Sequence, residues 1–431
     1  MLRMGIFTAD GEQWKHSRVR KMLLDLESGF VRCSTDIRLQ RQALIRPQFT
    51  RDKVSDLDLE ETHVRNMMTA LDPLIRPNGW IDEINLVPYF LNLTIDSATE
   101  FLFGESVNSQ FGNLHGYHSN AIGNSVSKFV KAFGIAQGAI ATRTRFMDAY
   151  WLYNPREMRE ACNVINQFAD HFVRLALSKD LRKATVEKSG KNRDQYILLE
   201  ALATECRDPV RLRTELLHIL LAGRDTTAAH LGWVFHNLAR DPARYKKLRD
   251  IILVHFGTYE SPHGITFSRL KDCKYLRYIN DEALRLHPVV SINARQANKD
   301  TTLPFGGGKD GKSPIFIPKW STCDYSVHVL HHRKDLWGLD AEEFRPERWE
   351  GRKVGWVYLP FNGGPRVCIG QQFALTEASY VIVRLVQRFD KMESLYPDEV
   401  IGHDLKLNNF ISQGVRLRMH AARVSAEDAP A

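Results

Sequence analysis

The sequence reads Phe361-Asn362-Gly363-Gly364-Pro365-Arg366-Val367-Cys368-Ile369-Gly370 immediately before a segment with a helical pattern, Gln371 to Phe389. Gly364 and Gly370 permit positive φ and a close approach of the backbone to a flat ligand. The amide dipoles at the start of the following helix stabilise a thiolate at Cys368. The pattern therefore indicates a cysteine that works as a thiolate. The alternative is a loop cysteine whose neighbours match by chance.

The same ten residues resemble the cysteine-ligand loop of cytochromes P450, F-x-x-G-x-R-x-C-x-G, with every defining position present. The resemblance implies that Cys368 is the axial ligand of the iron in haem b. It also implies that Phe361, Gly364, Arg366 and Gly370 bind the cofactor, with the Arg366 guanidinium on a haem propionate. Thiolate ligation donates electron density to iron and favours cleavage of the O–O bond.

A second match lies in an apolar segment upstream, Ala222-Gly223-Arg224-Asp225-Thr226-Thr227, which resembles the family motif A/G-G-x-D/E-T. The resemblance implies that the small residues Ala222 and Gly223 contact the cofactor and leave room for O2 over the iron. It also implies that Asp225 and Thr226 deliver protons. A polar pair in an apolar helix costs free energy unless it is used. The alternative for Thr226 is a hydrogen bond from its hydroxyl to a preceding carbonyl of the helix.

A structural triad is implied by two further matches. Glu282-Ala283-Leu284-Arg285 resembles the family's E-x-x-R, and the segment 344–349 resembles its partner, which adds Arg348. Charges three residues apart share one helix face, although an isolated pair of this kind is usually a surface feature. The resemblance implies that Glu282, Arg285 and Arg348 are buried together behind the haem.

Contacts to the haem propionates are implied at two other places. Trp14 and Arg18 match the family's W-x-x-x-R, one helical turn apart, so that an indole N–H and a guanidinium can reach a propionate. Arg295 stands just after the Glu282 helix, where the family places another propionate contact.

The likeness extends along nearly the whole chain and indicates a branch of the family. Segments 96–106, 300–304 and 371–378 look like the fungal alkane and fatty-acid hydroxylases. That branch implies hydroxylation at or near the end of a long alkyl chain, and an acyl or polyketide chain of secondary metabolism fits equally well. Apolar walls suit such substrates. By resemblance, the pocket is lined by Val289, Val290, Ile292, Phe410 and Ile411.

Composition sets the broad class. The chain has 431 residues, 43% of them hydrophobic, and a net charge of +8. Neither a block of like charges nor a basic run interleaved with aromatic residues is present, so we expect no nucleic-acid partner. The six cysteines are scattered without C-x-x-C spacing, which favours a reducing compartment over disulfides or structural zinc. His328, His331 and His332 lack accompanying ligands and are interpreted as loop histidines.

The order of patterns predicts one mainly α-helical domain with small β-sheets, the cytochrome P450 fold. A long helix is predicted between Asp208-Pro209 and Asp241-Pro242, because proline punctuates both ends. Short strands are predicted from Val289 to Tyr325 and a hairpin from Leu405 to Met419. Gly306 to Ser313 matches the P-loop pattern literally, but a strand follows it, so a glycine-rich hairpin turn is predicted instead.

The chain departs from the family pattern near its start. Trp14 and Arg18 lie almost at the beginning, so we expect residues 1–431 to form a single domain, incomplete at its N-terminus, without the membrane anchor and first helices. Residues 19–42 separate Arg18 from a segment that follows it directly in the family. Because Val codons begin with GT and a Gln codon can end in AG, we hypothesise a retained in-frame intron. Trp320 stands where the family usually has glycine.

The expected reaction is an NADPH-dependent monooxygenation. NADPH–cytochrome P450 reductase supplies electrons, and one oxygen atom of O2 enters a C–H bond of a hydrophobic substrate. The family implies a location at the cytosolic face of the endoplasmic reticulum membrane. Two other classes stay open: an O2-independent haem-thiolate isomerase or dehydratase, against which the Asp225–Thr226 pair argues, and a non-functional haem-protein fragment.

Overall fold

The computed structural model describes residues 49, 57–113, 121–178, 197–398, 400, 402–405 and 407–422. Trp14, Arg18 and the segment 19–42 lie outside the described residues. The described helices are, in order, α1 (Leu57–Leu71), α2 (Val87–Phe103), α3 (Ala121–Arg145), α4 (Arg156–Ser178), α5 (Leu198–Glu205), α6 (Pro209–Arg240), α7 (Pro242–Phe256), α8 (Phe267–Asp272), α9 (Lys274–Leu286), α10 (Val327–His332), α11 (Lys334–Trp337) and α12 (Gln371–Arg388). Among them, no helix combines the length and apolarity that crossing a membrane requires.

Four small antiparallel sheets accompany these helices. The described strands are β1 (Trp80–Asn85), β2 (Ile292–Gln296), β3 (Thr301–Gly307), β4 (Ser313–Ile317), β5 (Thr322–Ser326), β6 (Phe389–Ser394), β7 (His403–Leu405), β8 (Asn409–Ile411) and β9 (Arg416–Ala421). They form one three-stranded sheet, β1-β9-β6, and three pairs, β2-β5, β3-β4 and β7-β8. The predicted class, mainly α with small β-sheets, is confirmed.

The long helix α6 has the predicted ends, and the chemistry of its caps explains them. The Asp208 carboxylate accepts hydrogen bonds from the amides of Val210 and Arg211, which satisfies donors at the helix start. Pro209 occupies the first turn, where its missing N–H is harmless. At the other end Asp241 leaves the helical conformation and caps α7 by accepting from the Arg244 amide at 2.9 Å.

Helix α6 belongs to two apolar clusters, one along each half. Its first half contributes Leu212, Leu216 and Leu220 to a cluster with α2, α3, α4 and α5. Its second half, which includes Leu231 and Trp233, packs into a larger cluster with α1, α7, α9, α12 and the three-stranded sheet. Residues 222–226 therefore lie at the junction between the clusters, where the helix need not be covered by other side chains.

Two predictions for the C-terminal third are corrected. The predicted hairpin over Leu405 to Met419 is instead a shorter one, β7-β8, because the chain turns at Gly414 (φ 74°) and β9 then pairs with β1 and β6. Phe389 begins β6 and does not end the preceding helix. The glycine-rich turn between β3 and β4 is confirmed. Trp320 adopts φ 73°, a conformation that suits glycine and strains a bulky residue.

Candidate active site

The Cys368 loop is a tight turn that ends where α12 begins. A short 3₁₀ helix covers Gly364–Arg366, and the Cys368 amide donates back to the Phe361 carbonyl at 2.9 Å. Gly364 has φ 71°, as predicted, which residues with a Cβ rarely adopt. The prediction of positive φ for Gly370 is wrong: its φ is −86° because it already caps α12. Gly370 instead leaves open space, since among the described residues no atom beyond its chain neighbours lies within 4 Å of where its Cβ would be.

The Cys368 sulfur lies in a recess. The side chain is exposed, yet burial by the surrounding protein raises the pKa of its thiol, and a hydrogen bond from the Gly370 amide acts in the opposite direction. The neighbouring apolar side chains Val367 and Ile369 are 49% and 40% exposed. A thiol that is surrounded and still accessible suits a soft metal ligand, because coordination to a cation is what removes its proton.

Polar contacts fix the loop to the rest of the fold. The Tyr325 hydroxyl of β5 donates to the Asn362 side-chain oxygen at 2.8 Å, and the Asn362 amide nitrogen donates to Asn293 of β2 at 3.3 Å. Upstream, the Leu359 amide donates to Nε2 of His331 at 2.8 Å. These bonds hold the loop in one position relative to β2 and β5.

The interpretation of His328, His331 and His332 as loop histidines is wrong. All three lie in α10, and His331 is fully buried. Its Nδ1 lies 3.2 Å from the Arg285 carbonyl, and because Nε2 accepts from Leu359, Nδ1 is the nitrogen that carries the proton. Burial lowers the pKa of His331 to about 3, so the ring is neutral in the folded protein.

The structure brings the predicted triad together with no exposed surface on Glu282 and Arg285. The Glu282 carboxylate accepts from Arg285 Nε at 2.9 Å and from Arg348 Nε at 2.7 Å. The Trp349 indole and the Arg345 amide donate to the same carboxylate at 2.9 Å each. Arg285 also donates to three backbone carbonyls, so this buried charge cluster is well satisfied.

The middle of α6 has an open face. Ala222 is exposed although it lies on an otherwise largely buried helix, and Gly223 has no atom within 4 Å of a Cβ position. The Thr226 hydroxyl donates to the Ala222 carbonyl at 2.7 Å, the alternative that the sequence left open for this residue. The Asp225 carboxylate is buried and accepts from Arg224 Nη1 at 3.0 Å.

A shared apolar cluster links α6 to the Cys368 loop. Ala229, one turn after Asp225, lies in a small cluster with Phe361 and Leu375. On the other side, Leu220 shares its cluster with Phe373. Residues 222–226 thus lie between two parts of α6, one of which shares a cluster with the loop and the other with the start of α12.

The residues present fit a flat, largely apolar cofactor. Open space exists at Gly223 on α6 and at Gly370 on the loop, and apolar side chains flank an accessible sulfur. The predicted cation Arg366 is half-buried on the short 3₁₀ helix. Arg295 is buried on β2, with its guanidinium 5.6 Å from the Tyr325 ring centroid. A sulfur donor, two cations and apolar side chains are the chemistry that holds haem, so the residues present fit this group.

The predicted pocket residues divide into two groups. Val289 and Phe410 share the small cluster of Ala229, and the Asn409 amide donates to the Val289 carbonyl at 2.9 Å. Val290 is half-buried and Ile292 is 60% exposed. Ile411 belongs to the main core instead, because successive residues of β8 point to opposite sides.

Sequence reasoning missed a second set of polar residues around α6. Arg224 is buried and donates to both Asp225 and Gln137 of α3, and Glu377 of α12 is buried near the hydroxyls of Thr227 and Ser97. Burial raises the pKa of Glu377 to about 7, and the two hydroxyls act to lower it. The available signal was a charged residue in an apolar helical pattern, which applies to Arg224 and Glu377 alike.

Comparison with known proteins gives one consistent answer. A sequence model of the family described as Cytochrome P450 matches residues 26–395. Cytochrome P450 monooxygenase g430 of a Fusarium species is 63% identical over 97% of this chain and 69% of its own length. Cytochrome P450 52A3-A of Candida maltosa is 43% identical over 91% of this chain and 70% of its own length. The fold is also similar to the crystal structure of a cytochrome P450, CYP102L1, with a TM-score of 0.71 and 22% sequence identity. The match covers 95% of this chain and 83% of the CYP102L1 chain.

Proposed function

The chain belongs to the cytochrome P450 family and is a cytochrome P450 monooxygenase, and from that premise we propose that it hydroxylates a long aliphatic chain at or near its end. The substrate class is an alkane, a fatty acid, or an acyl or polyketide chain. Segments 96–106, 300–304 and 371–378, which look like the fungal alkane and fatty-acid hydroxylases, support this class.

One observation carries the proposal: the loop of the exposed Cys368 and helix α6 share an apolar cluster through Phe361 and Ala229. Val289 and Phe410 extend that apolar surface from Ala229. A substrate without polar groups near its reacting carbon gains free energy by leaving water in such a site, at about 25 cal/mol per Å2 of apolar surface removed from water.

The residues of the chain have separate roles in this proposal. Cys368 would hold the haem iron, and Arg366 and Arg295, together with Trp14 and Arg18, would hold the propionates. Bound haem b supplies the activation of O2, with electrons from NADPH by way of a reductase. Asp225 and Thr226 would carry protons along α6, and Ala222 and Gly223 would leave room above the cofactor. The bulky apolar residues exclude water from the reacting carbon.

Turnover with matched substrates tests the proposal. The full chain, reconstituted with NADPH–cytochrome P450 reductase in phospholipid vesicles, should convert a long-chain alkane or fatty acid to a terminal or near-terminal alcohol. Product should require both NADPH and O2. Product from an oxygenated substrate without either of them would instead indicate an isomerase or dehydratase. No product with any aliphatic chain, despite incorporated haem, would contradict the proposed substrate class.

Two further proposals concern the setting of the enzyme. We propose a location at the cytosolic face of the endoplasmic reticulum membrane, which fractionation of a tagged chain would test. We also propose that residues 1–431 form one domain in which residues 19–42 derive from a retained intron. Transcripts that join Arg18 directly to Ala43 would support this origin, and cDNA that consistently contains the segment would contradict it.

A further inference from the structure

Arg224 is a buried arginine within the oxygen-side motif, and its contacts reach another helix. Its Nη1 donates to Asp225 Oδ1 at 3.0 Å and to Gln137 Oε1 of α3 at 3.3 Å. The guanidinium carbon lies 5.5 Å from the centroid of the Phe133 ring, also on α3. The Arg224 side chain therefore joins α3 to the carboxylate proposed to carry protons.

The geometry of this contact needs the support of α3. Residues i and i+1 of a helix do not face each other, so Arg224 and Asp225 meet only when the guanidinium is held sideways. Phe133 and Gln137 provide that hold from the neighbouring helix. Burial lowers the pKa of Arg224, and the attraction of Asp225 opposes that shift.

The polar groups that join Arg224 to Gln137 are incompletely hydrogen-bonded. Two acceptors share the single nitrogen Nη1, while Nε of Arg224 and Nε2 of Gln137 are buried without a hydrogen-bond partner. An unpaired buried donor destabilises the folded state, because its bond to water is lost and not replaced. The guanidinium is therefore held by few bonds, and the support from α3 is what keeps it against Asp225.

We propose that Arg224 is a positioning residue that couples the placement of α3 to the orientation of the Asp225 carboxylate. While Gln137 and Phe133 hold the guanidinium, Asp225 is held on Arg224, and the Thr226 hydroxyl is on the Ala222 carbonyl. Without Arg224, or without its support from α3, the Asp225 carboxylate loses this fixed orientation and delivers protons less efficiently. This inference rests on the proposed function, because it names the residue that orients one member of the proton-carrying pair.

A matched set of variants tests the coupling. Arg224→Met removes the charge and keeps the aliphatic stem, and Gln137→Met removes only the link to α3. Arg213→Met is the control. Arg213 lies on α6, eleven residues before Arg224, and its Nη1 donates to the two carboxylate oxygens of Asp170 on α4 at 2.8 and 2.7 Å. Each chain is first checked for its reduced-CO spectrum, so that loss of the haem site is recognised.

Native-state hydrogen exchange gives the readout that does not depend on activity. Arg224→Met should speed exchange of the α3 amides around Phe133 and Gln137 by about tenfold, the scale of one coupled contact. Arg213→Met should leave those amides unchanged and affect α4 near Asp170 instead. Unchanged α3 exchange in Arg224→Met would overturn the inference, whatever the substrate of the enzyme.

Turnover gives the second readout. Arg224→Met and Gln137→Met should each lower the ratio of product formed to NADPH oxidised by about fivefold with unchanged KM, and the double variant should show no further loss. The solvent isotope effect on turnover should change in both. Wild-type ratios and isotope effects in Arg224→Met would overturn the inference, while absence of product from the wild type would count against the proposed function itself.

Discussion

Two buried carboxylates on neighbouring helices show how differently the two sides of this molecule treat charge. Glu282 of α9 receives two guanidiniums, an indole N–H and a backbone amide. Glu377 of α12 is also buried, the hydroxyls of Thr227 and Ser97 bond to it, and burial raises its pKa to about 7. The triad is a rigid part of the fold, because every charge in it is paired.

The polar groups around the middle of α6 are less completely paired than those of the triad. Arg224 and Gln137 leave donors unpaired, Glu377 can gain or lose a proton near neutral pH, and Ala222 is uncovered. A site that binds a cofactor and moves protons cannot have all its surface covered and all its donors satisfied. The comparison therefore separates residues that maintain the fold from residues available for chemistry.

Breaking the triad should have the largest effect. Glu282→Gln leaves the buried Arg285 without a counter-charge and Arg348 with Asp340 alone, and we expect a loss of about 3–5 kcal/mol in the free energy of unfolding. Urea unfolding of the full chain measures it. Glu347→Gln is the matched control, because Glu347 pairs with Lys247 and Arg244 at the surface. That control should cost about 1 kcal/mol or less, and equal losses would show that the triad is not the rigid side.

Removing the titration of Glu377 should have the next largest effect, and it should depend on pH. The folded protein holds this proton up to about pH 7, whereas the unfolded chain releases it near pH 4.5. The folded state therefore binds more protons between these values, so this group makes stability fall as pH rises through that window.

Glu377→Gln should abolish that slope. The variant should exceed the wild type in stability at pH 8 by about 1–3 kcal/mol and match it at pH 4.5, when urea midpoints are compared. Asp96 and Asp281, whose pKa values burial raises to about 6, are present in both chains and cancel in the difference. A constant difference across this pH range would mean that Glu377 is ionised in the folded protein.

Two glycines of the Cys368 loop sharpen the separation of fold from function. Gly364→Ala places a Cβ at φ 71° and should cost about 1–2 kcal/mol in stability. Gly370→Ala fits φ −86° and meets no atom within 4 Å, so chain stability should stay within about 0.5 kcal/mol of the wild type. Haem content per chain should nevertheless fall in Gly370→Ala. Full haem content there would show that the space at Gly370 is not used by the cofactor.

Thr226→Ala should have the smallest effect on stability. The variant loses one hydrogen bond within the helix and gains helix propensity, so the free energy of unfolding should change by less than about 0.5 kcal/mol. The ratio of product to NADPH should fall several-fold if the hydroxyl carries protons. An unchanged ratio would leave Thr226 with the hydrogen bond to Ala222 as its only role.

Local patterns explain which parts were predictable from sequence. The ends of α6 follow from Asp208, Pro209 and Pro242, and the bond of Thr226 to the preceding turn was foreseen as an alternative. Long-range partners were not predictable in the same way. The contacts of Arg224 with Gln137 and of His331 with Leu359 join residues far apart in the chain, and no spacing encodes them. The negative φ of Gly370 followed from a helix cap that its neighbours impose.

The reduced-CO spectrum of the full chain and of Cys368→Ser tests the central claim most directly. That claim is that the recessed Cys368 sulfur holds haem iron beside the open face of α6. The wild type should show the Soret band of a thiolate-ligated haem, and the variant should lose it while its urea midpoint stays close to that of the wild type. A thiolate band that persists in Cys368→Ser, or a haem-loaded wild type without one, would contradict the account.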